Sequence, residues 1–302
     1  MIQLDLQCVL RAGALNGECP RWNGAEQRLY WVDMRAPALH RLDPSTGQDE
    51  HWEMPDWIGC YVFQEEGPLL VALRGGLYRF DEDCGGVWRI ANPPYDQQRF
   101  CFNDGGCDPQ GRLYVGPLFT PKNKCDPPSG APLWRYEGRG WRAMTEPVQI
   151  SNGLAWSPDG ATVYHADTAR KTIWKRPYHL ATGDMGPAEV FAVIDMGGDG
   201  GGPDGAIVDR DGFYICAVFG ASCLLRFDPD GRLERRIPLP ARYPTMPAFG
   251  GEGLDMLFVT SASFPIPQAD RADHPDDGAI FALEAPAPGL AAPSFNPSGA
   301  RP

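Results

Sequence analysis

Glu18, Asn103, Asn152 and Asp204 are the residues of this 302-residue chain whose types and spacing could do chemistry together. Each stands five residues before the start of a turn, the turns beginning at Asn23, Asp108, Ser157 and Asp209. Two more turns, beginning near Gln64 and Gly250, carry Gly59 and Thr245 at the same offset. If the six segments are copies of one unit, four of six equivalent positions hold a carboxylate or a carboxamide. Two carboxylates about 5 Å apart repel by roughly 3 kcal/mol at an effective dielectric of 20. An apolar site would relieve this by protonating one of them. A divalent cation relieves it better: Glu18 and Asp204 balance its charge and Asn152 adds a neutral carbonyl oxygen. An all-oxygen ligand set suits Ca²⁺, Mg²⁺ or Mn²⁺, with Zn²⁺ and Fe²⁺ admissible. Asn-Gly and Pro-Asp-Gly are by themselves turn formers. It is the repeated offset that turns them toward a site.

The elements that must position these residues are short strands. Ile150-Ser-Asn-Gly-Leu-Ala-Trp156, the turn Ser157-Pro-Asp-Gly160, and Ala161-Thr-Val-Tyr-His-Ala-Asp167 read as a β-hairpin. Leu29-Tyr-Trp-Val32, Leu113-Tyr-Val115 and Phe213-Tyr-Ile-Cys216 follow turns in the same way. The six turns are separated by 41, 44, 49, 52 and 41 residues. Further strand-like runs follow each hairpin, such as Leu39-His-Arg-Leu42, Gly76-Leu-Tyr-Arg-Phe80 and Leu224-Leu-Arg-Phe227. About four strands in forty to fifty residues is the size of a propeller blade. The fold class expected is therefore all-β, a six-bladed β-propeller in one domain spanning 1–302. The segments Met1 to Val9 and Gly278 to Leu283 are expected to share a blade and close the ring, hiding two open edges. The Pro- and Ala-rich tail after about residue 285 reads as an irregular strap or disordered end.

Composition agrees. The chain has 36 glycines and 31 prolines, scattered as short punctuation between apolar runs of four to seven residues. A formal net charge of −12 with no basic cluster argues against nucleic acid and anionic membrane as partners. The first ten residues lack the features of a secretory signal and no eighteen-residue apolar run occurs, so a cytoplasmic protein is expected. Nine cysteines, an odd number without a C-x-x-C pair, point to mostly buried thiols rather than a disulfide framework or zinc ribbon. No phosphate loop, G-x-S-x-G elbow or H-E-x-x-H is present, and the five histidines show no ligand spacing.

The segments Gly17-Glu-Cys-Pro20, Phe102-Asn-Asp-Gly105 with Asp108-Pro-Gln-Gly-Arg112, Ser151 to Gly160, Tyr164-His-Ala-Asp-Thr168 and Pro203-Asp-Gly205 resemble, in order and spacing, the gluconolactonase, regucalcin and luciferin-regenerating-enzyme family. The resemblance runs from about residue 13 to 284. It implies a six-bladed propeller, metal ligation by Glu18, Asn152 and Asp204, and substrate contact by Asn103. The chain departs from the family at Cys101, where many members carry a sugar-contacting Arg, and at Cys19, where Gly is usual. On an extended strand residues 99, 101 and 103 share a face, which makes Arg99 a candidate for the replacement cation, the alternative being an exposed strand residue. Lys122 and Lys124, in a loop where members cover the substrate, are further candidates for an anionic group.

The function expected is metal-dependent hydrolysis of a sugar lactone to its aldonic acid. Asp204 serves as general base as well as ligand, while Asn103 and Arg99 bind substrate. The alternatives are a non-enzymatic Ca²⁺-binding propeller and a diisopropylfluorophosphatase-like phosphotriesterase. The expected partner is a small sugar lactone, and the expected state a monomer or weak homo-oligomer.

Overall fold

A computed structural model describes residues 6–123, 125–138, 140–197 and 201–298. It is a six-bladed β-propeller: among the described residues, five sheets have four strands and one has five. The leading strands of the blades are Gly17–Asn23, Ile58–Val62, Phe100–Cys107, Ser151–Trp156, Gly202–Val208 and Pro244–Gly250. All pairing within the blades is antiparallel, and most strands are joined to the next by a short turn, the exceptions being the longer segments 120–133 in the third blade and 262–279 in the sixth. The fourth blade gains a strand because both Asp184–Met185 and Glu189–Val193 pair with Thr172–His179.

The turns after the leading strands fall where the sequence puts them, and their chemistry explains why. Asp108 Oδ1 accepts the N–H groups of Gln110 and Arg112 at 3.0 and 2.8 Å. Asp209 Oδ1 does the same for Asp211 and Phe213 at 3.0 and 2.9 Å. The next glycine supplies the left-handed residue, Gly111 at φ 80° and Gly212 at φ 88°. An aspartate followed by a left-handed glycine thus closes these two hairpins without a longer loop.

The chain divides into two compact units, Met1–Glu53 with Ile194–Ala292, and Met54–Val193 with Pro293–Pro302. The first unit holds the first, fifth and sixth blades. Its core lies between sheets, with Ile215, Leu224, Phe249, Val259 and Phe281 in one cluster and Trp31, Leu42, Phe258 and Ile280 in another. The sixth blade contains Pro244–Gly250, Met256–Ser261, Ile280–Glu284 and, at its outer side, Gln7–Leu10. Gln7 pairs with Ala282 and Cys8 with Phe281, so the two ends of the chain share a blade as expected. Residues 1–5 of the expected N-terminal strand lie outside the described residues. The second unit holds the second, third and fourth blades, with Tyr114, Leu133, Leu154, Val163 and Tyr178 packed between the last two. The tail is a strap. Gly289 N–H donates to Leu254 O at 2.8 Å in the first unit, and Phe295 is buried in the second, donating its N–H to Phe63 O at 2.7 Å.

Candidate active site

All six leading strands are interrupted by a β-bulge, and the bulge falls at the position five residues before the turn. The register shifts between Glu18 and Arg21, Ile58 and Cys60, Phe102 and Gly105, Asn152 and Ala155, Pro203 and Ala206, and Pro244 and Pro247. A bulge bends its strand and re-aims the side chains beside it. The residues singled out by spacing are therefore those whose direction the local backbone changes.

In the second unit this brings two predicted residues into direct contact. Asn103 Nδ2 donates to Ser151 O and to Asn152 Oδ1, both at 2.9 Å. A backbone carbonyl only accepts, so the Ser151 contact fixes which end of the Asn103 amide is nitrogen. The contact to Asn152 then fixes that amide in turn, and its nitrogen donates to Thr168 Oγ1 at 2.7 Å. Asn152 Oδ1 keeps one lone pair beyond the bond from Asn103. Thr168 is itself held in place. It opens the 3-10 helix Thr168–Arg170, capped by Asp167, whose carboxylate accepts the N–H groups of Gln149, Ile150 and Ala169.

Asp104, which the spacing of the turns does not single out, accepts the Leu154 N–H at 3.1 Å. That N–H lies inside the Asn152–Ala155 bulge, so a carboxylate from the neighbouring blade takes up the donor that the bulge displaces. Behind Asn152, Ser151 Oγ and His165 Nε2 lie 2.7 Å apart, and both side chains are buried. Burial, assisted by the Arg176 guanidinium, lowers the His165 pKa to about 3, so this imidazole is neutral.

Arg99 is not on the strand. The strand begins at Phe100, and Arg99 ends a turn in which Asp96 O accepts the N–H groups of Arg99 and Phe100 at 2.9 and 3.0 Å. Arg99 thus stands one residue before the strand, its carbonyl still accepting the Thr120 N–H at 2.7 Å, and its guanidinium lies 5.6 Å from the centre of the Phe119 ring. Cys101 is fully buried. Lys122 Nζ donates to Gln98 Oε1, and Lys124 lies outside the described residues.

In the first unit Glu18 and Asp204 are 9 % and 6 % exposed. The environment of Glu18 repeats that of Asn152. Asp33, paired with Gly17, accepts the N–H groups of Leu15 and Asn16 at 2.7 and 3.1 Å, as Asp167, paired with Ser151, accepts those of Gln149 and Ile150. Thr245 Oγ1 donates to Gly17 O at 2.5 Å, just as Asn103 donates to Ser151 O. In both cases the residue five before one turn bonds the carbonyl that precedes the next blade's predicted ligand. Cys19 follows Glu18 with φ 51°, and Gly153 follows Asn152 with φ 61°. Both bulges thus need a left-handed residue, which glycine adopts without strain and cysteine does not.

Among the described residues no group of three or more His, Cys, Asp and Glu side chains suits a metal ion. Glu18 and Asp204 carry carboxylate oxygens and Asn152 an amide oxygen of fixed orientation, which are the donor types a hard divalent cation takes.

Comparison with known proteins gives a consistent picture. The sequence profile of the SMP-30/Gluconolactonase/LRE-like region matches residues 16–263. A 6-deoxy-6-sulfogluconolactonase of Pseudomonas putida is 39 % identical over 291 residues, covering 96 % of this chain and 98 % of the relative. An L-arabinolactonase of Azospirillum brasilense is 31 % identical, with 96 % and 95 % covered. A crystal structure of a calcium-binding protein, regucalcin, from Agrobacterium tumefaciens superposes with a TM-score of 0.88 at 27 % identity, covering 97 % of this chain and 98 % of that one. With the profile matched over most of its length and its motifs falling on the bulged strands, the chain belongs to the SMP-30, gluconolactonase and luciferin-regenerating-enzyme family.

Proposed function

We propose that this protein hydrolyses a sugar lactone to the open aldonic acid, with Glu18, Asn152 and Asp204 as ligands of one divalent cation. The observation that carries the reading is the recurrence of a buried oxygen donor at the bulge of three leading strands. Relatives named as sugar lactonases support the substrate class. When bound, the cation would polarise the lactone carbonyl and lower the pKa of water; the regucalcin relative, described as calcium-binding, makes Ca²⁺ the first ion to test.

The protein's own groups supply the rest. Asp204 accepts the proton of the attacking water as its oxygen bonds to the lactone carbon, and returns it to the ring oxygen as the ester bond breaks. Thr168 and Asn103 hold the Asn152 amide so that its oxygen, not its nitrogen, is offered as a donor. Both hydrogens of Asn103 Nδ2 are already used, so the atom it can offer a sugar is Oδ1, an acceptor for a hydroxyl. Arg99 is proposed as a second substrate contact, binding a hydroxyl or the developing oxyanion.

A pH-indicator assay on a panel of aldonolactones, with chelator-stripped protein and each divalent ion added back, tests this. Asp204→Ala should lose essentially all turnover. Near wild-type activity of that variant at saturating metal would remove Asp204 from the mechanism.

A further inference from the structure

Five side chains from three blades gather at one end of the first unit. The rings of Phe219 and Phe264 stack with centroids 5.8 Å apart, and Tyr243 meets Phe219 at 5.1 Å. The Arg35 guanidinium lies 3.8 Å over the Phe264 ring. A second guanidinium, of Arg242, lies 5.4 Å from the centre of the Tyr243 ring. The rings are half-buried and both arginines are exposed.

Register says which end this is. Gly17 pairs with Asp33, two residues before Arg35. The Phe264 N–H donates to Leu15 O at 2.9 Å, so that ring's backbone runs beside the segment leading to Glu18. Phe219 pairs with Gly202, two residues before Asp204, which is about 7 Å along the strand. Tyr243 precedes Pro244 and Thr245, and Thr245 bonds the Gly17 carbonyl. The cluster thus crowns the end of the unit at which both Glu18 and Asp204 stand.

Its chemistry is specific. A guanidinium stacked on an aromatic face is pre-oriented, and its in-plane N–H donors suit the oxygens of a sulfonate or phosphate. Half-buried rings suit the apolar face of a sugar. The surrounding protein is acidic, with a formal charge of −12, so an anionic ligand needs local cations to be held at all.

We propose that this cluster is the distal subsite for an aldonolactone carrying an anionic group on its exocyclic carbon, with Arg35 and Arg242 binding the anion and Phe219, Tyr243 and Phe264 lining the sugar. The proposal rests on the lactonase reading above, and the name of the 39 % identical Pseudomonas putida relative carries the same substrate chemistry.

The test compares kcat/KM for 6-sulfo-, 6-phospho- and unsubstituted gluconolactone in the wild type, Arg35→Gln, Arg242→Gln and Phe264→Leu. The wild type should prefer at least one anionic lactone by tenfold or more. Arg35→Gln should cut that preference at least tenfold, chiefly through KM, and Arg35→Lys should restore part of it. Phe264→Leu, which removes the platform and keeps the charge, should reduce it as well. A wild type without preference for either anion, or a preference unchanged in both arginine variants, would overturn the subsite while leaving the lactonase intact. Failure of the wild type to open any of the three lactones would instead remove the lactonase reading itself.

Discussion

Asn152 can donate two hydrogen bonds and accept two, and its neighbours decide which of these remain for function. Ser151 O, an acceptor only, orients Asn103; Asn103 orients Asn152; Thr168 takes the far nitrogen. The result is an amide that cannot flip without breaking two bonds. The buried imidazole behind it has a consequence for acid stability. His165 is neutral in the fold down to about pH 3, whereas in the unfolded chain it protonates near its ordinary 6.5. Between those values the unfolded state binds the extra proton, so stability falls with pH at up to about 1.4 kcal/mol per unit from this group alone. Above pH 6.5 both states are neutral and the group contributes no pH dependence. His165→Gln should flatten the fall in denaturation midpoint between about pH 6.5 and pH 4, measured by urea titration at several pH values. An unchanged slope would mean that other groups dominate acid unfolding.

Gly59 and Arg99 mark the limits of reading at the scale of the strand. The six turns were legible because Asp, Asn and Gly at fixed offsets leave little else for the backbone to do. The matched ligand positions followed from those turns. The bulges were not legible, since they depend on how each leading strand meets its neighbour. Gly59 looked like a missing ligand. Its added Cβ would lie 2.4 Å from Phe102 O, the carbonyl just ahead of Asn103, so here two strands approach too closely for any side chain. Gly59→Ala must push backbone against backbone, and a loss of about 2 kcal/mol or more is expected, read as a lower urea midpoint. A variant as stable as the wild type would show that the two strands separate freely. Arg99 failed as a strand residue for a local reason that was visible: Asp96, whose Oδ1 accepts the Gln98 N–H at 2.9 Å, starts a turn three residues before it. Cys19 was flagged only as a departure from a family glycine, and the left-handed backbone supplies the physical reason.

For the molecule as a whole, repeat length and turn count were enough to give the blades and the shared terminal blade. The seat of the tail was not. Pro- and Ala-rich sequence carries no periodicity, yet Phe295 is buried, bridges Gln64 in parallel and lies 6.2 Å from the Tyr136 ring. Ending the chain before Pro293 exposes what Phe295 covers and should cost roughly 2–3 kcal/mol, seen as a lower melting temperature. A truncated protein melting with the full chain would mean that the strap adds nothing.

The pairing of Gln7–Leu10 with Ile280–Glu284 also sets a timetable. The first strand leaves the ribosome long before its partner is made, and at 5–20 residues per second the wait is roughly a quarter of a minute to a minute. During that time the leading strands of the early blades can fold against local hairpins, while residues 7–10 have no sheet of their own to join. The last blade to be completed is the one that takes Gln7–Leu10 as its outer strand. Completion of the sixth blade therefore waits for residues 280–284, and in a nascent chain stalled before residue 280 both Gln7–Leu10 and Met256–Ser261 lack the strand that lies between them.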